Sequence, residues 1–341
     1  MRLQVSDCVK PAEWDAGILE MAGTIFHSSG WAAYTTAGQP NAAPRFITLV
    51  SDEGRLAGIA LGLQTRSTRR FLAPFTGRLW FDAIPAVKED DPHRLADFLS
   101  LLESHAREEG CVEISVGSFA WRGGEVGFEK LGFRTTKYWE FVLDLGPSED
   151  DLWNQFEYKR RKNIKKAMKS GVDIKELPPA EGLAHLRHLQ GESSQRIVER
   201  GGPDIRYKGD PGQDPTMVLL ESKLARIVGA EVDGEVVSAG LFTFFNGLVY
   251  HTLSGHGRKA LETQAPTLLL WETIKKYRSE GAARFNFGGC SIDAVNEGSP
   301  EHGVYEYKKA FGGACIECTS GRKILRPTTH KVITLLKSMG R

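Results

Sequence analysis

The sequence contains the same succession of elements twice, and this repeat is its most constraining feature. A turn with an acidic residue and glycine precedes an apolar, strand-like run with an internal glycine at residues 51–63, and again at residues 232–244. In each copy a helical stretch that stops at glycine then leads into a short strand, at 94–110 with 111–116 and at 267–281 with 283–287. A repeat of this length indicates two duplicated domains rather than a solenoid.

Length and composition agree with two soluble domains. A chain of 341 residues is long enough for two domains of ordinary size, each with its own core. The formal net charge is +1, so a general affinity of the whole molecule for nucleic acid is not expected. The N-terminus lacks the apolar stretch of a signal peptide, and no apolar run reaches the ~18 residues of a membrane helix. These features predict a cytoplasmic protein without an integral membrane segment.

The five cysteines do not predict a disulfide framework or a metal site. Their number is odd, and no export signal precedes them, so reduced thiols are expected. Cys315 and Cys318 have a metal-like spacing, but a second pair is lacking. The sequence therefore predicts no metal centre.

One segment concentrates positive charge. Residues 148–171 begin with Ser148 as a helix cap followed by acids, end at Gly171, and allow a break near Tyr158. Its second half contains seven cations without an intervening acid: Lys159, Arg160, Arg161, Lys162, Lys165, Lys166 and Lys169. Such a run forms either a solvated helix face or a phosphate-binding surface.

The end of each copy carries a family resemblance. Gly127-Phe-Glu-Lys-Leu-Gly-Phe133 resembles the closing segment of the GNAT acyltransferase unit, and two such units in tandem resemble the FemAB family. That family comprises aminoacyl-tRNA-dependent transferases that extend peptidoglycan stem peptides. The segments that carry the closer resemblance are 159–172, 285–289 and 303–313, together with Phe26-His-Ser-Ser-Gly-Trp31.

The resemblance implies an α/β (α+β) fold of two tandem GNAT-like domains, each a mixed, mostly antiparallel sheet flanked by helices. The expected domains are residues 1–147 and 148–321, with a C-terminal helix at about 322–341 packed on the first. The coiled-coil arm of many Fem-like enzymes is not expected here, and this short form is compatible with a monomer.

The resemblance also implies a function. The leading hypothesis is transfer of an aminoacyl or acyl group from an activated donor, aminoacyl-tRNA, to an amine of a peptidoglycan precursor or a similar acceptor. The acceptor would be a nucleotide-linked or lipid-linked muramyl peptide, or another small amine, and no cofactor would be bound permanently. One alternative is an N-acyltransferase that uses acyl-coenzyme A on another small amine, and another is a non-catalytic binding protein.

Site residues follow partly from the resemblance and partly from residue chemistry. The resemblance places the functional aromatic–lysine pair of the family at Tyr307 and Lys308, where an ammonium could stabilise an oxyanion. The residues predicted to bind donor or phosphate are Lys159, Arg160, Arg161, Lys165, Gly288 and Gly289. The residues predicted to contact the acceptor are Ser194, Arg196, Arg200, Tyr250 and Trp31.

The general base and a coenzyme A site stay open at the level of sequence. Candidates for the base are His27, His251, His256 and Glu113. Ser254-Gly-His-Gly-Arg258 and, more weakly, Pro74-Phe-Thr-Gly-Arg78 resemble the Gly-rich turn that binds the coenzyme A pyrophosphate in GNAT enzymes.

Overall fold

The computed structural model describes residues 1–39, 41–121, 123–124, 126–199, 201–202 and 204–339. The strands are β1 Arg2–Ser6, β2 Ala42–Val50, β3 Leu56–Thr65, β4 Arg78–Phe81, β5 Ala86–Val87, β6 Glu113–Val116, β7 Arg134–Asp144, β8 Asp173–Leu177, β9 Ala225–Val232, β10 Glu235–Phe245, β11 Leu248–His256, β12 Arg284–Ser291 and β13 Ala314–Ile324. The α-helices are α1 Pro11–Glu20, α2 Ser29–Gly38, α3 Pro92–Glu108, α4 Glu149–Gln155, α5 Tyr158–Lys169, α6 Pro179–Glu199, α7 Thr216–Glu221, α8 Arg258–Thr263, α9 Ala265–Ser279, α10 His302–Lys309 and α11 Pro327–Met339.

The chain forms two compact units. Unit 1 contains Met1–Lys137 and Cys318–Arg341, and unit 2 contains Tyr138–Glu317. Each half of the sequence thus contributes its last strand to the other unit, because β7 lies mostly in unit 2 and the second half of β13 lies in unit 1. The division at residues 147 and 321, made from the sequence, stays a prediction about domains.

Unit 1 has the strand order β1-β2-β3-β4-β6-β13, with β5 paired to β3. β4 and β6 run parallel, and the other pairs described in this unit are antiparallel. The amphipathic helix α3 buries Leu95, Phe98, Leu99 and Leu102 in the core of this unit. Its first turn is capped by Asp91, which accepts hydrogen bonds from two backbone N–H groups.

Unit 2 repeats this plan with the strand order β7-β12-β11-β10-β9-β8. Here β11 and β12 are the parallel pair, and α9 connects them. Aromatic rings fill the core, with Phe156 packed edge-on against both Trp271 and Phe311. Two hairpins, β2–β3 and β9–β10, turn at the acidic-Gly positions that the sequence predicts.

The break predicted near Tyr158 is present and has a clear cause. α4 ends at Gln155, and Phe156 adopts an extended conformation that buries its ring in the aromatic core. The backbone N–H of Glu157 then bonds to the carbonyl of Ala310. Arg161 donates to the carbonyl groups of Asn154 and Phe156 at 2.9 Å each, which satisfies acceptors at the end of α4.

The predicted fold class is confirmed: both units are mixed, mostly antiparallel sheets flanked by helices. None of the described helices extends as an arm, since the longest, α6, has 21 residues and packs on β10 and β11. Within the described ranges, no helix is long and apolar enough to cross a membrane.

Candidate active site

The parallel strands of unit 2 separate partway along their length. β11 and β12 pair only at Leu248–Arg284, Val249–Phe285 and Tyr250–Asn286 in the part of the chain that the structure describes. Beyond this point β11 continues to His256 beside β10, whereas β12 continues to Ser291 beside β7. Within the described residues, β11 and β12 are therefore not paired with each other beyond Tyr250 and Asn286, and such a gap between strands can accept an extended ligand.

A β-bulge in β12 lies directly at this gap. Against β7, the register moves from Asn286–Val142 to Gly289–Glu140, so β12 carries one extra residue. Gly288 has a φ of +74°, in the left-handed region that glycine occupies without strain. An added Cβ there would lie 3.3 Å from the carbonyl oxygen of His251 and 3.5 Å from Lys308 Nζ.

A chain of hydrogen bonds fixes the bulge. The buried carboxylate of Glu140 accepts from Tyr250 Oη and from Asn286 Nδ2, each at 2.7 Å. The other side of the Asn286 amide, Oδ1, accepts from the N–H of Gly288 at 2.7 Å. A buried charge with two such partners orients the strand at the point where the gap opens.

Lys308 brings a cation to the same place. Its ammonium donates to the carbonyl of Gly289 at 2.8 Å. Burial lowers the pKa of Lys308 to about 8, while the nearby Cys290, Glu140 and Glu301 act in the opposite direction. The ammonium form therefore still predominates at neutral pH, in a partly desolvated position where a charge interacts more strongly than in water.

Two histidines of unit 2, His251 and His256, are neutral at neutral pH. Burial lowers the pKa of His251 to about 3, assisted by the charge of Lys308, and lowers the pKa of His256 to about 4. His251 stacks on Phe242 at a centroid distance of 4.7 Å, and its Nε2 has no hydrogen-bond partner among the described residues. His256 Nδ1 lies 2.9 Å from Ser238 Oγ. Such low values make both side chains weak bases at neutral pH.

The other two candidates for a general base lie in unit 1 and have structural contacts. His27 accepts from the N–H of Thr24 through Nδ1, and its Nε2 lies 2.9 Å from the carbonyl of Ile84. Glu113 accepts from Arg322 at 2.6 Å.

Tyr307 and Lys308 are adjacent in α10 but face different surroundings. The ring of Tyr307 lies under the guanidinium of Arg160 at 4.1 Å, and Arg160 also donates to the carbonyl of Tyr307 at 3.0 Å. Burial raises the pKa of Tyr307 and lowers that of Arg160. This contact joins α5 to α10 and helps to position Lys308.

The remaining basic residues of α5 divide by exposure. Arg160 is buried, and Arg161 caps α4, as described above. By contrast, Lys159, Lys162, Lys165, Lys166 and Lys169 are exposed, and we call them the α5 lysine face. With 3.6 residues per turn, Lys162, Lys165 and Lys169 lie opposite the buried stripe of Arg160, Ile164 and Ala167.

The residues predicted to contact the acceptor lie at three separate places. Tyr250 is at the gap, bonded to Glu140. Ser194 donates to Asp204 at 2.6 Å, and Arg196 donates to the carbonyl of His256. Trp31 is buried in unit 1, where its indole N–H donates to Asp82 at 2.7 Å. Arg200 lies outside the described residues. The role of each in acceptor binding stays a prediction.

The corresponding strand pair of unit 1 is closed. β4 and β6 pair along their whole length, from Arg78–Glu113 to Phe81–Val116. The next backbone groups continue the contact, since Gly117 N–H bonds to Phe81 O at 2.6 Å and Phe119 N–H to Asp82 O at 3.2 Å. Of the two repeated strand pairs, the one in unit 2 is therefore open.

Sequence reasoning missed Glu140. Its signal was an acid in the middle of the apolar strand segment Tyr138-Trp-Glu-Phe-Val-Leu143. An acid at such a position is rarely buried unless a partner satisfies it. Its partners come from β11 and β12, however, and the sequence does not show which strands flank β7.

Comparison with known proteins agrees with this fold. The FemAB family model matches residues 117–197 and 222–338, which is more than half of the chain. The chain therefore belongs to the FemAB family. No curated protein sequence matches it in a sequence search.

Solved structures show the same fold at low identity. FemX is similar with a TM-score of 0.77 and 16% identity, over 98% of this chain and 100% of FemX. L-PGS from Bacillus licheniformis has a TM-score of 0.56 and 18% identity, with 97% of each chain covered. The C-terminal domain of a putative lysylphosphatidylglycerol synthetase from Agrobacterium fabrum has a TM-score of 0.52 and 13% identity, with 95% of this chain and 96% of that domain covered.

Family membership identifies the protein as an acyltransferase, in the general class of peptidoglycan-related aminoacyltransferases. A direct transfer of this kind needs alignment of two reactants and stabilisation of an oxyanion, without a covalent enzyme intermediate.

Proposed function

We propose that this protein transfers an aminoacyl group from aminoacyl-tRNA to an amine of a muramyl peptide precursor, at the gap between β11 and β12. The observation that carries the proposal is the position of Lys308, whose ammonium lies 2.8 Å from the carbonyl of Gly289 where the strands have separated. A partly desolvated cation therefore lies beside the point at which β11 and β12 cease to pair.

The proposed reaction has one tetrahedral intermediate. The acceptor amine attacks the ester carbonyl of the donor, and the carbonyl oxygen becomes an oxyanion that the Lys308 ammonium stabilises. The intermediate then collapses: the ester C–O bond breaks, the 3′ oxygen of the tRNA leaves, and an amide remains. The amine loses one proton and the leaving oxygen gains one, so the protonation state of Lys308 is unchanged overall.

The α5 lysine face supports a nucleic-acid donor. It presents five exposed lysines in one helix without an acid among them, beside Tyr158, whose side chain is 75% exposed. Lysines bind phosphates without reading sequence, and an exposed aromatic ring can stack on an unpaired base. A tRNA has both features. A charged tRNA donor would also place the reaction in the cytoplasm.

The geometry gives less support to a coenzyme A donor. In the turn at residues 254–258 the N–H of His256 donates to Ser193 Oγ at 2.9 Å, and that of Gly257 donates to Val237 O at 2.8 Å. Pyrophosphate binding in this manner needs such N–H groups to point at the ligand. The following helix, α8, has only six residues.

Direct measurement of the donor tests the proposal. The purified protein would be incubated with a muramyl peptide precursor and either a labelled pool of aminoacyl-tRNAs or labelled acetyl-coenzyme A. We expect label in the peptide from at least one aminoacyl-tRNA and none from acetyl-coenzyme A. Transfer from acetyl-coenzyme A alone would overturn the proposed donor.

A further inference from the structure

The loop between β3 and β4 in unit 1 exposes two large apolar side chains. Phe71 is 71% exposed and Phe75 is 51% exposed. Among the large hydrophobic side chains of the described residues, only Tyr158 is more exposed than Phe71. Residues 66–78, which we call the Arg/Phe loop, therefore present an apolar tip to the surroundings.

The same loop is strongly cationic. It contains Arg66, Arg69, Arg70 and Arg78, and no Asp or Glu occurs from residue 56 to residue 81. Arg66 is paired with Glu109 at 3.5 Å. The side chains of Arg69, Arg70 and Arg78 are exposed and form no ion pair with any residue that the structure describes.

Internal hydrogen bonds hold the shape of the loop. The N–H of Ser67 donates to Thr76 Oγ1 at 2.8 Å, which ties the two sides together. The N–H of Leu72 bonds to Arg69 O at 2.9 Å, and that of Phe75 to Leu72 O at 3.0 Å. Because these backbone groups are satisfied within the loop, its tip can enter a less polar medium at a small desolvation cost.

We propose that the Arg/Phe loop docks this protein on an anionic phospholipid surface. Phe71 and Phe75 insert at the boundary between headgroups and acyl chains, while Arg69, Arg70 and Arg78 bind lipid phosphates. The order of residues suits this geometry, since two arginines precede the apolar tip and one follows it. A strand of RNA would fit better along a row in which cations and rings alternate.

For the proposed aminoacyl transfer, on which this step rests, docking selects the acceptor. A protein held at the surface meets a lipid-linked muramyl peptide at a raised effective concentration. A nucleotide-linked precursor in solution gains nothing from the contact. The loop therefore favours the lipid-linked form of the acceptor.

Vesicle binding by the full chain tests the docking surface. The probes are vesicles of phosphatidylcholine alone and of phosphatidylcholine mixed with phosphatidylglycerol. The variants are Phe71→Ser/Phe75→Ser and Arg69→Glu/Arg70→Glu, with Arg2→Glu/Arg134→Glu as a control of equal charge change at other exposed positions. Thermal unfolding of each variant verifies that the fold is retained.

We expect binding to the anionic vesicles only, with the control close to wild type. The arginine variant should bind at least about tenfold more weakly, because each cation near an anionic surface contributes about fivefold. The phenylalanine variant should also lose binding. Equal binding by wild type and both loop variants would overturn the proposal. The proposal would also be overturned if the wild-type protein bound tRNA through Arg69 and Arg70 and did not bind the vesicles.

A second arm separates this inference from the proposed function. Transfer is measured to an acceptor embedded in anionic vesicles and to the same peptide without its lipid. The loop variants should transfer more slowly than the wild-type protein with the embedded acceptor and equally fast with the lipid-free peptide. If the loop variants and the wild-type protein react equally fast with the embedded acceptor, the selection of a lipid-linked acceptor is refuted. If neither acceptor reacts, the proposed function fails, while vesicle binding still decides the docking surface by itself.

Discussion

Lys308 shows how the surroundings of one residue decide its role. Its neighbours in α10, Tyr307 and Lys309, have similar sequence surroundings, yet Tyr307 supports Arg160 and Lys309 is exposed. The sequence motif located the lysine. It could not show that Gly289 O holds the ammonium or that burial lowers its pKa, because both depend on how α10 packs against β12 in the folded chain.

The charge of Glu140 should appear in the pH dependence of transfer. Glu140 raises the pKa of Lys308, so Glu140→Gln should lower it further. If the ammonium is the active form, the rate falls as the pH rises through the pKa of Lys308, and in the variant this fall should begin at a lower pH. The profile of kcat/KM against pH measures this.

The control for that experiment is Glu306→Gln, which changes the same charge on α10 beside the exposed Lys309. It should leave the alkaline limb of the profile in place. If the alkaline limb of the kcat/KM profile in Glu140→Gln stays in place or moves to higher pH, the assigned roles of Glu140 and Lys308 are contradicted.

At the scale of elements, the bulge in β12 places the carbonyl of Gly289 within hydrogen-bond distance of Lys308. In the sequence, Gly288 and Gly289 are donor-binding candidates, and adjacent glycines permit positive φ and close approach. The hydrogen bonds of Asn286 to Glu140 and to Gly288 N–H fix the orientation of the backbone carbonyl groups in the bulge. Local sequence therefore predicts the strand, whereas its bulge and the direction of its polar groups depend on the register with β7.

Replacement of Gly288 by alanine should impair transfer. The backbone at φ +74° costs a residue with Cβ ~1–2 kcal/mol, and the methyl group would lie 3.5 Å from Lys308 Nζ. Gly234→Ala is the matched control, since Gly234 has a φ of +81° in the β9–β10 turn with no atom near its added Cβ. Both variants should lose similar stability, and only Gly288→Ala should lose activity. Full activity in Gly288→Ala would show that the backbone geometry of the bulge is not needed for transfer.

The contact between α5 and α10 predicts a clear difference in stability between two neighbouring cations. Arg160 is buried and bonds to Tyr307 O and Thr267 Oγ1, so Arg160→Ala leaves buried acceptors unsatisfied. We expect a loss of about 2–4 kcal/mol in the free energy of unfolding, measured by urea denaturation. Lys159→Ala, at an exposed position, should change this free energy by less than ~0.5 kcal/mol. Equal effects would show that Arg160 is not a structural residue.

At the scale of the whole molecule, the repeat predicted the fold class and the order of elements in both units. It could not predict that each unit is completed by a strand from the other half of the sequence, because the pairing partners of β7 and β13 are not local in the sequence. Nor could it show that only one of the two repeated strand pairs opens. That difference arises at Gly117 in one copy and at Gly288 in the other.

Binding of tRNA should depend on salt through the α5 lysine face. Replacing Lys162 and Lys165 by glutamine should weaken binding of all tRNAs alike. It should also reduce the slope of log K against log salt, by ~0.9 for each of these lysines that binds a duplex phosphate. Lys10→Gln/Lys130→Gln, two lysines of unit 1, serves as control. An unchanged slope in the α5 variant would place the tRNA elsewhere on the protein.

The most direct test of the central claim is the single-turnover rate of aminoacyl transfer in Lys308→Ala compared with Lys309→Ala. The two lysines are adjacent in α10, and only Lys308 reaches the gap. We predict that Lys308→Ala loses ~10²–10³ in rate, the usual effect of removing one oxyanion donor, while Lys309→Ala keeps the wild-type rate. Equal rates in the two variants would contradict the claim that Lys308 performs the chemistry.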